Sequence, residues 1–343
     1  MDSRSTVAGM TTTEAARRSM ALRIMIASIT AAAAATWLGA MEWYQPHLVT
    51  DFDAVYAGAH AVMHRADPFA SYYRPITYPM PAMIAVLPLS LAPIQVARLL
   101  FVAGVSGLLG WVLSDRPDAR LFVFASGAWF VAVEDAQWSP LILAAAIAPA
   151  LTWALAAKPN IGLAAAAGAK PSAIKKVLAL SLILPALSFA IAPSWIGAWR
   201  AAVAHYDVFT PLVTRPYGVL LLLAAARWRR PEARILLALA LVPLNPAWYE
   251  GVLVFCVPKR ATEGAALATL SWFVPLIGKP QVTDYATYAS GNAAAFARGT
   301  LLCAYLPALF MVLLRPNEGE APAWLERNAE RIPRWLRGKP IAA

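Results

Sequence analysis

Long apolar blocks separated by short polar or Pro-containing breaks dominate the chain. The blocks cover about residues 22–41, 78–92, 95–113, 120–134, 139–157, 177–194, 211–226, 235–257, 264–278 and 298–314. The period-2 alternation of a membrane β-barrel is absent from the sequence. Most of these blocks are long enough to cross a hydrocarbon core of about 30 Å as helices. Helices are the favoured form because lipid offers no partner to unpaired backbone N–H and C=O groups. The pattern predicts an all-α integral membrane protein.

Composition points the same way. The chain is 60% hydrophobic and 14% charged, against roughly 45–50% and about 25% in soluble domains. Its 29 Lys and Arg against 19 Asp and Glu give a formal charge of +10. These basic residues cluster at block ends, as the positive-inside rule expects, and no nucleic-acid motif accompanies them. Cys256 and Cys303 lie in apolar stretches and read as inert buried thiols. The numerous Trp and Tyr residues read first as an interfacial belt.

Charge also sets sidedness. Residues 1–21, with Arg4, Arg17 and Arg18, precede an apolar run too long for a signal-peptide core, so the first span starts in the cytoplasm. The basic tail 315–343, the cluster Arg227, Arg229, Arg230 and Arg234, and the pair Lys259 and Arg260 belong on the same side. Satisfying all of them requires hairpins at Lys158-Pro159-Asn160 and at Asn245-Pro246-Ala247-Trp248. The result is one membrane domain, 22–314, of about ten to twelve crossings. Broken helices need shelter from protein or a water-filled cavity, so a polar cavity is expected. The outer side collects Asp51, Asp53, His60, Lys158, His205, Asp207, Arg215, Asp284 and Tyr285, while the acidic break at Glu134-Asp135 falls inside.

The first outer loop, about 43–77, is long and carries chemistry. Residues 53–65 have the pattern of an amphipathic helix, with Asp53, Tyr56, His60 and His64 on one face and Val55, Ala59 and Val62 turned away. Asp51 and Asp53 can be plain interfacial charges, hydrated or paired. They also form a D-x-D string, and His60 and His64 have metal-pair spacing without the Glu of H-E-x-x-H. No cofactor is predicted; a divalent cation is left open.

The run Asp51-Phe52, Tyr56, then Asp67-Pro68-Phe69 and Tyr78-Pro79-Met80-Pro81 resembles glycosyltransferase family 87. So do Gln137-Trp138-Ser139-Pro140-Leu141 and Lys158-Pro159-Asn160-Ile161-Gly162-Leu163, in the same order. The similarity covers about residues 20–165. One departure is His64-Arg65-Ala66, where the family usually has a Gly-rich stretch; another is the short distance from Lys158 to the next basic cluster. The resemblance implies a GT-C-like bundle that transfers a hexose such as mannose, or a pentose, with inversion from a polyprenyl-phosphate donor. The acceptor would be a glycolipid or glycan at the outer face. By the same resemblance Asp51 is the base, with Asp53 second, and Lys158 sits at the donor phosphate. Topology alone adds Arg215 there as a weaker candidate. Tyr56, His60, Tyr78, Gln137 and Asn160 are the expected substrate contacts, with membrane lipid as the surrounding partner. The alanine-rich composition fits a bacterial inner membrane. One alternative is a transporter or flippase for lipid-linked or small polar substrates, because broken helices suit mid-membrane binding sites as well; another is a structural scaffold or degenerate enzyme.

Overall fold

The computed structural model describes residues 12–115, 119–204, 210–244, 247–278, 293–321, 326–331 and 333–339. Expectations for His205, Asp207, Asp284, Tyr285 and the Asn245-Pro246 pair fall outside these residues. The first four helices are α1 (Thr12–Tyr44), α2 (Asp51–Met63), α3 (Met80–Val86) and α4 (Ile94–Leu113). The contacts of α1 and α4 fix them as an antiparallel pair. Near the start of α1, Arg23 lies 4.3 Å from the Trp111 ring and 2.8 Å from Asp115, just beyond α4. At the opposite ends, Arg98 pairs with Glu42 at 2.9 Å. Small residues let the two backbones approach. A Cβ on Gly107 would stand 3.2 Å from the Ala31 Cβ, and one on Gly110 would stand 3.3 Å from the Ala27 Cα. The Thr30 hydroxyl lies 3.2 Å from the Ser106 carbonyl across this seam.

Shorter helices complete the bundle: α5 (Gly127–Glu134), α6 (Ser139–Ile147), α7 (Pro159–Ala167), α8 (Ile174–Ser181), α9 (Ile183–Ile191) and α10 (Trp195–Val203). They are followed by α11 (Pro231–Leu241), α12 (Ala261–Ser271), α13 (Val274–Gly278), α14 (Ala293–Thr300), α15 (Leu306–Leu313) and α16 (Arg334–Arg337). Tighter 3-10 segments link them, notably Ala119–Ala125, Pro149–Ala157, Gly218–Arg227 and Trp248–Cys256. A two-stranded antiparallel ribbon, Thr210–Pro211 with Pro243–Leu244, is the described sheet. The core runs through aromatic contacts: Phe52 of α2 meets Phe101 of α4 at 4.8 Å, and Phe101 meets Trp138 at 5.1 Å.

The all-α membrane character stands. Among the described residues, four helical stretches are long and apolar enough to cross a membrane: Ser19–Tyr44, Ile94–Leu113, Pro171–Ile191 and Phe296–Leu313. The expected count of about ten to twelve full crossings rested on runs that the chain breaks into short pieces. Residues 78–92 show why. Tyr78 sits beside Asp51 at the start of α2 and the Ser90 hydroxyl beside Met63 at its end, so this segment runs along α2. Its apolar helix is shorter than the four long stretches, and α4 runs from Arg98, which holds Asp53 of α2, back to the Arg23 end. The acidic turn at Glu134-Asp135 moves too. The Asp51 N–H donates to the Asp135 carbonyl at 3.2 Å, placing that turn at the Asp51 end rather than the opposite one. The run 235–257 splits, as expected, into α11 and the 3-10 segment Trp248–Cys256.

The basic clusters also find partners within the fold. Arg234 donates to the carbonyls of Ala167 (2.9 Å), Gly168 (3.4 Å) and Ala169 (3.0 Å), which end α7. Arg227 donates to Leu313 and Arg315 carbonyls at 2.8 and 2.5 Å, which end α15. A helix leaves its last carbonyls without internal partners, and arginine forks supply them here. Arg229, buried, holds Glu326 and the Arg337 carbonyl, so the described part of the tail docks on the membrane domain.

Candidate functional site

Asp51 opens α2, and Thr50 caps that helix together with Asp53. The Thr50 N–H and hydroxyl donate to the Asp53 carboxylate at 3.1 and 2.9 Å, and the Asp53 N–H donates back to the Thr50 carbonyl at 3.1 Å, which fixes where the helix begins. Arg98 then clamps Asp53 with both arms of its guanidinium, at 2.6 and 2.7 Å. Asp53 is buried and its oxygens are fully engaged. Its neighbour Asp51 is exposed and turns toward a different set of partners.

Those partners come from three other segments. The Gln137 amide donates to Asp51 Oδ2 at 2.5 Å, and the Tyr78 hydroxyl lies 3.2 Å from both Asp51 Oδ2 and Gln137 Oε1. Lys158 donates to Gln137 Oε1 at 2.9 Å and to Glu250 Oε1 at 2.8 Å. It also stands 4.6 Å from the centre of the Tyr249 ring. The chain Asp51–Gln137–Lys158–Glu250 therefore runs from an exposed carboxylate to a buried ion pair. A carboxylate only accepts and an ammonium only donates, so the Gln137 amide between them has one orientation. Burial, together with the Asp51 charge, holds the Tyr78 phenol well above its ordinary range.

Local structure explains how these side chains meet. Helix α5 ends with the Gln137 N–H on the Ala132 carbonyl (2.7 Å) and the Ala136 N–H on the Val133 carbonyl (3.0 Å). That pattern is a Schellman cap, which needs a left-handed residue at its turning point. Ala136 takes that role at φ 46°, and Gln137 is thrown toward Asp51. Lys158 lies at the break between Pro149–Ala157 and α7, where Pro159 opens the new helix. Gly162 lies against the Leu155 carbonyl with no room for a Cβ, so the two short helices fold back tightly and present Lys158 inward.

Of the expected site residues, Asp51, Tyr78, Gln137 and Lys158 come together. Asp53 does not join them; Arg98 and Thr50 bind it into a structural brace. Tyr56 donates its hydroxyl to the Ala92 carbonyl. His60 is exposed on α2 and stacks between Tyr56 and His64, at ring separations of 6.3 and 4.4 Å. Asn160 accepts from the Ile161 N–H at 2.9 Å within its own helix start. Arg215 follows the 3-10 turn Leu212–Thr214, and the bonds that define the cluster run to other residues. Sequence reasoning missed Glu250, Tyr249 and the Arg98 brace. Glu250 and Arg98 each place a charge inside an apolar run, which is the signal that marks such residues as paired or functional.

Among the described residues, no three His, Cys, Asp or Glu side chains are grouped to hold a metal ion. Comparison with protein-family models, curated proteins and solved structures gave no match for this chain.

Proposed function

We propose that the chain is a membrane glycosyltransferase that moves one sugar from a polyprenyl-phosphate donor to a glycolipid or glycan acceptor at the outer face of a bacterial inner membrane. The observation that carries this reading is the hydrogen-bonded chain from Asp51 to Lys158. An exposed carboxylate and a buried cation lie at its two ends, joined through Gln137. In this reading Asp51 takes the acceptor hydroxyl proton as the acceptor oxygen bonds the anomeric carbon. The bond from that carbon to the phosphate oxygen breaks, and polyprenyl phosphate leaves with the electron pair. One displacement inverts the anomeric configuration. Lys158 supplies positive charge to the leaving phosphate, drawing part of its ammonium away from Glu250. GT-C-like architecture and the family 87 assignment belong to the same proposal. A second reading, a transporter or flippase, draws support from the buried Lys158–Glu250 pair at a helix break.

The test is transfer of radiolabelled sugar from a panel of polyprenyl-phosphate sugars to membrane lipids, using wild type, Asp51→Asn and Asp53→Asn. Asp51→Asn should abolish transfer while the purified protein stays folded. Asp53→Asn should instead lower the yield of folded protein, because Arg98 loses its buried partner. Undiminished transfer by Asp51→Asn rules out Asp51 as base. Lipid-linked sugar that crosses proteoliposomes, with no transfer at all, favours the transporter.

A further inference from the structure

Glu250 is only 2% exposed, and only one of its oxygens is engaged: Oε1 takes Lys158 at 2.8 Å. Oε2 is buried and has no hydrogen-bond partner among the described residues. A carboxylate oxygen withdrawn from water without a donor is strongly unfavourable, so such an atom needs an explanation in terms of what fills it. The electrostatics narrow the choice. Lys158 already neutralises Glu250, so an incoming cation would meet the ammonium at close range. A phosphate or carboxylate placed against Oε2 would meet the glutamate charge, whereas one on the far side of Lys158 would not. A neutral donor satisfies both neighbours. The buried Ser139 hydroxyl, at the first residue of α6 and two positions beyond Gln137, likewise lacks a partner among the described residues.

We propose that Glu250 Oε2 receives a hydroxyl of the donor's sugar, making Glu250 the residue by which the site distinguishes a sugar-bearing lipid phosphate from the bare lipid phosphate. This rests on the glycosyltransferase reading and extends it. Lys158 and Glu250 then divide the donor between them: Lys158 faces the phosphate and Glu250 faces the sugar. Glu250→Gln keeps an oxygen for Lys158 but replaces the accepting Oε2 with an N–H donor, so it removes the proposed contact without emptying the space.

The experiment is equilibrium binding to the full chain in nanodiscs, read by native mass spectrometry. The probes are undecaprenyl phosphate, undecaprenyl phosphoryl mannose and undecaprenyl phosphoryl arabinose. Wild type should bind one sugar lipid about tenfold more tightly than undecaprenyl phosphate, the scale of one hydrogen bond to a charged group. Glu250→Gln should keep binding undecaprenyl phosphate and lose that preference. Binding of the bare lipid with no preference in wild type overturns the Glu250 assignment alone. Failure of all three lipids to bind overturns the donor reading and this assignment together. If Glu250→Gln does not fold, singly deoxygenated sugars on the preferred lipid replace it. One position should then cost wild type about tenfold in affinity, and a series with no loss overturns the proposal.

Discussion

Asp51 and Asp53 are the same residue type, two positions apart, with opposite fates. Asp53 stands at the third position of α2, where the helix N-terminus favours an anion and Thr50 completes the cap. Arg98 adds a two-pronged ion pair out of water, and removing one partner of such a pair typically costs about 3–5 kcal/mol. Asp51 has no comparable clamp and remains exposed at the mouth of the polar chain. Ala136 shows a different economy at the same scale. A non-glycine residue in left-handed geometry is strained by roughly 1–2 kcal/mol, and Ala136 accepts that at φ 46°. Ala136→Gly should therefore raise stability by about 1 kcal/mol, seen as a higher melting temperature in detergent. A lower melting temperature would mean that the buried methyl contributes more packing than the turn costs. Arg65, at φ 57° just after α2, occupies the corresponding turning point there. Glycine would fill that backbone position at lower strain.

Between elements, α1 and α4 are held by close backbone approach more than by side-chain bulk. Gly110 packs against Thr30 and the Ala27 backbone with no space for a side chain. Gly110→Leu should force the helices apart and cost about 1–3 kcal/mol by overpacking. Thermal melting in detergent checks the loss. A cysteine cross-link between positions 31 and 107, whose Cβ atoms would stand 3.2 Å apart, should form with Gly110 intact and weaken in the Gly110→Leu variant. Separation of α1 from α4 would also pull Glu42 from Arg98, and through Arg98 loosen the brace on Asp53. The seam thus supports the start of α2, where Asp51 is displayed.

For the whole molecule, the two ends of the bundle do different work. The Asp51 end gathers carboxylates, Gln137 and Tyr78 around Lys158. The opposite end is a lattice of arginines on helix-terminal carbonyls. Arg229 ties the tail to this lattice through Glu326 and the Arg337 carbonyl. Arg229→Ala should release residues beyond 315, seen as faster proteolytic trimming of the tail, with a loss of about 2 kcal/mol in stability. Trimming at an unchanged rate would show that Trp228, whose indole donates to the Leu336 carbonyl at 2.9 Å, suffices to hold the tail. The apolar blocks made the membrane class legible, and Pro159 made the helix break at Lys158 legible. The number of crossings was not, because residues 78–92 are apolar as a block yet form only a short helix packed along α2.

By itself the sequence determined the all-α membrane character; Asp51, Tyr78, Gln137 and Lys158, which the structure brings together, were picked out through a family resemblance. The membrane character follows from local properties, namely hydropathy over a block and the absence of period-2 alternation. Tertiary structure alone decided that Asp53 is braced by Arg98, that the Glu134-Asp135 turn joins the Asp51 end, and that Glu250 completes the cluster. Each depends on residues at least 45 positions apart in the chain or on the direction in which a helix runs. Hydropathy carries neither kind of information, because it records how much a segment avoids water and not which neighbour it meets.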